Sequence, residues 1–429
     1  MSRATILHAP VLEKLQAIGG ADLVVGIPSF NNARTIGHVV HAVTAGLAKY
    51  FPDHRAVLVN SDGGSTDGTP DVVGAAELGS ARAILVTQAP RRVHRVITAY
   101  QGLPGKGSAF RTVFEIAQRL QARACAVVDS DLRSITPEWL QLLIGPVLEE
   151  GFDYVCPLYS RHKFDGTITN SIVYPLVRAL YGRRIRQPIG GDFGFSGRLA
   201  GHYLAHDVWA SDVARFGIDI WMTTTALKGD FKVCQAYLGA KIHDAKDPGA
   251  HLSTMLVQVT GSLFAQIEAH EARWRDVQGS EAVPEFGFRY EVGLEPVPVD
   301  VGRMVHAFDQ GVQDFAPIYA GFLDDGTRTE LARLTGQPVA RFHMPEELWV
   351  RTVCSYALAY HLRSLNTDHL LRSLTPLYLG RTASWVNEAA DYGAEQVEQA
   401  LDSLCGTFER LKPQLVTAWQ EGRIRSWSS

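Results

Sequence analysis

Two aspartates one residue apart, Asp129 and Asp131, stand directly after the apolar run Ala126-Val127-Val128. Paired carboxylates at the end of a buried strand offer hard oxygen ligands, which suit Mg²⁺ or Mn²⁺, and such an ion can bridge phosphate oxygens. A solvated strand end or a helix cap uses the same residues, so the neighbours decide. Pro104-Gly105-Lys106-Gly107-Ser108-Ala109 leads into Phe110, Val113, Phe114 and Ala117, spaced at three and four residues as in a helix. Glycines on both sides of Lys106 let backbone amides and the ammonium approach an anion where a helix begins and its dipole favours negative charge. The spacing is not that of a Walker A loop, and a glycine-rich turn with a solvated lysine is the plainer alternative.

Three apolar runs must position these groups. Leu23-Val24-Val25-Gly26-Ile27 runs into Pro28-Ser29-Phe30-Asn31-Asn32 and then into a helical stretch from about Thr35. Ala56-Val57-Leu58-Val59 feeds the polar, Gly-rich loop from Asn60 to Thr69, which opens another helix. With the run before Asp129, these predict parallel strands ending in polar loops ahead of helices. The fold class that follows is α/β, a doubly wound and mostly parallel sheet with ligands gathered at the carboxyl ends of its strands.

Together these elements resemble a glycosyltransferase of the GT-A fold, the family that moves a sugar from a nucleoside diphosphate sugar to an acceptor. More narrowly, the chain resembles the glucosylglycerate, mannosylglycerate and glucosyl-3-phosphoglycerate synthases. The residues that carry this are Pro104-Gly105-Lys106-Gly107, Val128-Asp129-Ser130-Asp131-Leu132, Gln187-Pro188-Ile189-Gly190-Gly191-Asp192, Phe216-Gly217-Ile218-Asp219 and Lys241-Ile242-His243. The resemblance covers about residues 20 to 275. Residues about 345 to 390, from Pro345-Glu346-Glu347-Leu348-Trp349 onward, look like the helical C-terminal part of mannosylglycerate synthase.

The resemblance implies roles for individual residues. Pro28, Ser29, Phe30, Asn32 and Asp62 hold the nucleobase and ribose, and a carboxylate such as Asp62 can accept from a ribose hydroxyl or a base N–H. Asn32 departs from the glutamate usual in the phosphoglycerate-using relatives. Lys106 serves the diphosphate, and Gln187, Gly190 and Gly191 complete the donor site. Asp129, Asp131 and His243 hold the Mg²⁺ or Mn²⁺, with Asp131 the direct carboxylate ligand; a neutral imidazole can complete such a shell, although a lone histidine also reads as a structural residue. Lys163, Gly166, Thr167 and Thr169 grip a glycerate-like acceptor. Thr167 stands where an arginine lies in relatives that use 3-phosphoglycerate, and without a guanidinium the bidentate phosphate grip is lost. An unphosphorylated acceptor is therefore expected. Asp192 and Asp219 are the candidate catalytic carboxylates, each of which also reads as a helix cap or ion-pair partner.

Composition sets limits around this reading. A chain of 429 residues predicts two domains. The expected division is a GT-A domain over 1–278, with donor half about 20–132 and acceptor half about 133–278, a linker at 279–298 rich in Gly and Pro, and a helical domain over 299–429. A net charge of -4 and a pI near 6.4 give no reason to expect nucleic acid or an anionic membrane as partner. With neither a basic-then-apolar leader nor about 18 consecutive apolar residues, a cytoplasmic protein is expected. Cys125, Cys156, Cys234, Cys354 and Cys405 form no Cys-x-x-Cys pair and read as buried free thiols. Trp349, Val353, Tyr356 and Tyr360 share one face of a helix starting at Pro345 and read as core, with a subunit interface, and so a homodimer, or a wall over the acceptor site as alternatives.

The expected activity is metal-dependent transfer of glucose, with retention, from a nucleoside diphosphate sugar to D-glycerate, giving glucosylglycerate as a compatible solute or precursor. Mannosylglycerate or glucosyl-3-phosphoglycerate synthesis is the alternative within the class, and the residues do not distinguish UDP from GDP or glucose from mannose. A sugar-phosphate nucleotidyltransferase would share the sheet, the loop and the carboxylates. A non-catalytic sugar-nucleotide binding protein would bind the donor without turnover.

Overall fold

A computed structural model of the chain describes residues 5–76, 93–242, 248–290, 292–423 and 427. The strands among them are β1 (Leu23–Ser29), β2 (Ala56–Asp62), β3 (His94–Ala99), β4 (Ala124–Val127), β5 (Tyr154–Ser160), β6 (Arg183–Arg184), β7 (Phe193–Ser196), β8 (Val233–Ala240), β9 (Glu281–Ala282) and β10 (Glu285–Phe286). Two compact units share the chain in alternating segments. Met1–Ser160, Ile185–Asp244 and Val283–Leu294 form the first; Arg161–Arg184, Ala245–Ala282 and Glu295–Ser429 form the second.

The first unit is built on one sheet of order β10-β8-β5-β7-β4-β1-β2-β3. β4, β1, β2 and β3 run parallel, as do β10, β8 and β5, while β7 lies antiparallel between β4 and β5. β1 and β2 are buried along their whole length, as expected of parallel strands covered on both faces. One face carries the helices Ile36–Tyr50 and Glu138–Leu148, whose Val39, Val43 and Leu47, and Trp139, Leu143 and Ile144, pack with Val25, Ile27 and Leu58 of the strands. Helix Lys106–Arg119 lies against β1. The register aligns Ser29 of β1 with Asp62 of β2 and Gly26 of β1 with Val127 of β4, so the polar loops after all three leave the sheet at the same edge.

The second unit is mainly helical, with Pro248–Ala269, Val301–Asp314, Glu346–His361, Thr367–Glu388 and Ala394–Glu421 as its long helices. β6 pairs in parallel with β9 at its margin. Asp300 and Asn366 cap two of the helices by accepting from Arg303 N–H and from Asp368 and His369 N–H. Helix Glu346–His361 begins behind Pro345 with two acids in its first turn, where carboxylates favour the positive end of the dipole. Trp349, Val353 and Tyr356 are fully buried there, and the Tyr356 hydroxyl meets Ser373 Oγ at 2.8 Å.

The break near 279–298 is more interleaved than a linker. Glu285–Phe286 joins the first unit's sheet as β10 beside β8, and Phe286 packs edge-on against Phe152 at 5.5 Å. Segments 161–184 and 245–282 pack with the helical unit. The five cysteines are buried free thiols. Among the described residues no helix is long and apolar enough to cross a membrane.

Candidate active site

At the carboxyl edge of the first unit's sheet, two lysines and three aspartates interlock. Lys106, at the start of its helix, places Nζ 2.8 Å from Asp129 Oδ1, 3.3 Å from Asp219 Oδ2 and 3.2 Å from Gly191 O. Lys241, just past β8, places Nζ 2.8 Å from each of Asp129 Oδ2, Asp192 Oδ2 and Gly190 O. Asp192 Oδ1 accepts from the Asp129 N–H at 2.7 Å, and its other oxygen also accepts from the Tyr159 hydroxyl. Asp129 is therefore held by backbone and by both carboxylate oxygens.

Burial and charge act in opposite directions on these groups. Burial opposes ionisation of Asp129, but Lys106 and Lys241 outweigh it and hold the carboxyl well below the usual range. Burial likewise opposes charging of Lys106, and Asp129 and Asp219 override it, raising its pKa. For Asp192 and Asp219 burial wins and both are raised despite their lysine partners. Asp192 is enclosed completely, with both oxygens engaged. Asp219, in the first turn of helix Ile218–Lys228, has a buried Oδ1 with no hydrogen-bond partner among the described residues. An unsatisfied buried acceptor invites a donor, and a sugar or acceptor hydroxyl is one.

Two glycines are sterically required. Gly191 has φ +94°, and a Cβ there would overlap Asp129 Oδ2 and come within 2.9 Å of Lys241 Nζ. At Gly107 a Cβ would overlap Val213 O and lie 2.8 Å from Ala214 Cα, so backbone occupies the space a side chain needs.

Beside this cluster lies the loop pair that follows β1 and β2. Asp62 accepts from Ser29 Oγ at 2.8 Å, from Gly64 and Ser65 N–H at 2.9 and 2.8 Å, and from Ser65 Oγ at 2.7 Å. Its carboxylate thus shapes the loop around it. Asn60 Nδ2 donates to Ser29 Oγ at 2.8 Å. Asn32 Oδ1 accepts from Phe30 N–H at 3.0 Å and from Ser130 Oγ at 2.8 Å, tying this loop to the one that carries Asp129 and Asp131. Phe30 is 61% exposed, and both its ring and the Tyr100 hydroxyl come within 3.1 Å of where a Cβ on Gly63 would sit. An exposed aromatic face of this kind suits a planar base.

Asp131 differs from its neighbours. It is half-buried and, among the described residues, makes no hydrogen bond or ion pair. No group of three or more His, Cys, Asp or Glu residues is placed to hold a metal among the described residues. His243 lies outside them; Ile242, the residue before it, accepts from Arg133 N–H at 2.9 Å and donates to Ser134 Oγ at 2.9 Å, two and three residues past Asp131. Asp131 is thus an open carboxylate, of the hard-oxygen kind a divalent cation takes, two residues after Asp129, whose oxygens two ammonium groups already occupy.

Of the other expected donor residues, Pro28 and Ser29 end β1, and Gln187 donates to Tyr159 O at 3.0 Å while its buried Oε1 has no partner among the described residues. The four acceptor residues belong to the second unit. Lys163 Nζ donates to Ala390 O at 2.6 Å and Tyr392 O at 3.2 Å, and the buried Thr167 hydroxyl meets that of Tyr378. Gly166 takes φ +65° ahead of the turn that contains the buried Thr169. Thr167 lines a cleft with Asn170, Ser171, Arg381, Thr382 and Trp385. Lys241 and Tyr159 are the site residues to which the sequence assigned no role; the signal for Lys241 was its place at the end of the strand leading to His243.

The sheet and its charged edge define a glycosyltransferase domain of the GT-A type. Residues 24–199 match the model of glycosyl transferase family 2. Solved structures of glucosyl-3-phosphoglycerate synthase from Mycobacterium tuberculosis are similar. One, with Mn²⁺, UDP and glucosyl-3-phosphoglycerate, has 23% identity and a TM-score of 0.44 over 62% of this chain and 85% of that chain. Another, with Mn²⁺, UDP-glucose and phosphoglyceric acid, has 22% identity and a TM-score of 0.43 over 62% and 85%. A third, with Mg²⁺ and UDP, has 22% identity and a TM-score of 0.42 over 62% and 84%. Comparison with curated proteins gives no match.

Proposed function

We propose that the protein transfers glucose, with retention, from a nucleoside diphosphate sugar to D-glycerate, using Mg²⁺ or Mn²⁺. The observation that carries the reading is the charged edge itself: Lys106 faces Asp129 and Asp219 beside an Asp131 carboxylate without a partner among the described residues. Asp131 and His243 would hold the divalent ion, which supplies Lewis-acid stabilisation to a departing diphosphate. Lys106 has 13% of its side chain exposed, and its ammonium, held by Asp129 and Asp219, offsets the negative charge that develops on the diphosphate. Such fixed cations act as preorganised electrostatic stabilisers. Phe30 and the loop shaped by Asp62 receive the base and ribose. The unpartnered Asp219 Oδ1 accepts from a hydroxyl of the sugar or acceptor. Asp192, with both oxygens occupied, orients Asp129. Lys163, Gly166, Thr167 and Thr169 are proposed for the acceptor, and Thr167 in place of an arginine supports glycerate over its phosphate ester.

The test is incubation with Mg²⁺ and a panel of UDP- and GDP-linked glucose and mannose against glycerate, 3-phosphoglycerate and lactate, with products read by mass. A hexosylglycerate product is expected. Pyrophosphate release from a nucleoside triphosphate and sugar phosphate would identify a nucleotidyltransferase instead, and preferred turnover of 3-phosphoglycerate would overturn the argument from Thr167.

A further inference from the structure

We propose that Lys241 is the positioning residue of the metal-binding edge, a built-in cation that ties Asp129 to Asp192 and leaves Asp131 as the carboxylate open to the divalent ion. The proposal rests on the reading above for its catalytic consequence, but not for its geometry.

Three oxygens, Asp129 Oδ2, Asp192 Oδ2 and Gly190 O, stand 2.8 Å from one Nζ. They come from two places in the chain: the loop after β4, and the turn Gly190–Asp192 that leads into β7. Two carboxylates turned toward each other in a buried site repel strongly, and a cation between them removes that repulsion. A compact ammonium can do so where a planar guanidinium would not fit, because Gly191 and the Tyr159 ring, 5.2 Å from Nζ, close the space around it. With 4% of its side chain exposed, Lys241 is more enclosed than Lys106, at 13%.

The consequence passes to Asp131 through the backbone. Lys241 holds Asp192, Asp192 accepts from the Asp129 N–H at 2.7 Å, and Lys241 also holds the Asp129 side chain. Main chain and carboxylate of Asp129 are thus set together, two residues before Asp131. Because its oxygens are taken by Lys241 and Lys106, Asp129 acts on the ion through charge and placement, as groups behind direct metal ligands do.

Two measurements test this on the full-length protein. In the first, Mn²⁺ alone is titrated into wild type, Lys241→Met and Lys241→Ala, with free Mn²⁺ read by electron paramagnetic resonance. Both variants are expected to bind Mn²⁺ about tenfold more weakly, the effect usual for groups supporting a metal ligand. Added ethylammonium should restore binding to Lys241→Ala, whose missing side chain leaves room, and not to Lys241→Met; ethanol should restore neither. Wild-type Mn²⁺ affinity in Lys241→Met, or equal rescue by ethanol, overturns the proposal. In the second, urea unfolding of Lys241→Met, Asp192→Asn and the double variant should show strong coupling, the double losing little more than either single. Additive losses overturn the tie. If wild type itself neither binds Mn²⁺ nor turns over sugar nucleotides while the coupling is found, the functional reading fails and the tie between Asp129 and Asp192 stands.

Discussion

Gly191→Ala probes the packing of the charged edge most directly. The position has φ +94°, and a methyl there would strike Asp129 Oδ2 and crowd Lys241 Nζ. Left-handed backbone on a residue with a Cβ costs about 1–2 kcal/mol. Displacing Asp129 from Lys241 forfeits a charge-assisted hydrogen bond worth about 1.5–3 kcal/mol, so the two effects together come to about 2.5–5 kcal/mol. For a unit of this size that is a fall in Tm of about 5–20 °C. Gly19 supplies the control: it has φ +76° at the end of helix Ala9–Ile18, with nothing within 4 Å of where a Cβ would sit. Gly19→Ala should show the backbone effect alone, about 1–2 kcal/mol. Thermal unfolding by circular dichroism measures both variants, and hexose transfer from UDP-glucose measures the catalytic result, where only Gly191→Ala should fail. Equal Tm losses, or normal turnover in Gly191→Ala, would refute the account of a tightly closed Asp129–Lys241 pair.

Asp131→Asn should weaken Mn²⁺ binding at least about tenfold while moving stability by no more than about 0.5 kcal/mol, since the carboxylate has no partner among the described residues to lose; titration calorimetry and thermal unfolding check the two halves. Lys412, in helix Ala394–Glu421, donates to Val277 O at 2.6 Å, and burial pushes it down to about 8 against the opposing pull of Asp276 and Glu409. A folded pKa below the ordinary 10.5 means that folding favours the uncharged amine. The resulting stabilisation is present above that ordinary value and lost as pH falls through about 8. Lys412→Met removes this dependence at the expense of one hydrogen bond, so it should gain about 1–2 kcal/mol below pH 8 relative to its standing at pH 10.5. A flat difference in Tm between variant and wild type across that range would refute it.

The sequence by itself determined the existence of three strands, from the apolar runs Leu23–Ile27, Ala56–Val59 and Ala126–Val128, because such runs are local signals; the first two continue through Pro28 and Asn60 to Ser29 and Asp62. It also marked Lys106, Asp129 and Asp131 as groups able to meet a phosphate and its cation, because their chemistry is intrinsic to residue type and spacing. Tertiary structure alone decided what each carboxylate does. Asp129, Asp192 and Asp219 look alike in the chain, yet one has its oxygens held by two lysines, one is enclosed with Lys241 and Tyr159, and one keeps an oxygen without a partner. Those differences follow from strand order: β7 enters antiparallel between β4 and β5, bringing Asp192 beside an ammonium that follows β8. The pairing of Thr167 with Tyr378 likewise joins positions far apart in the chain. Periodicity reports which face of an element is apolar, whereas contacts between distant segments depend on how those faces are assembled.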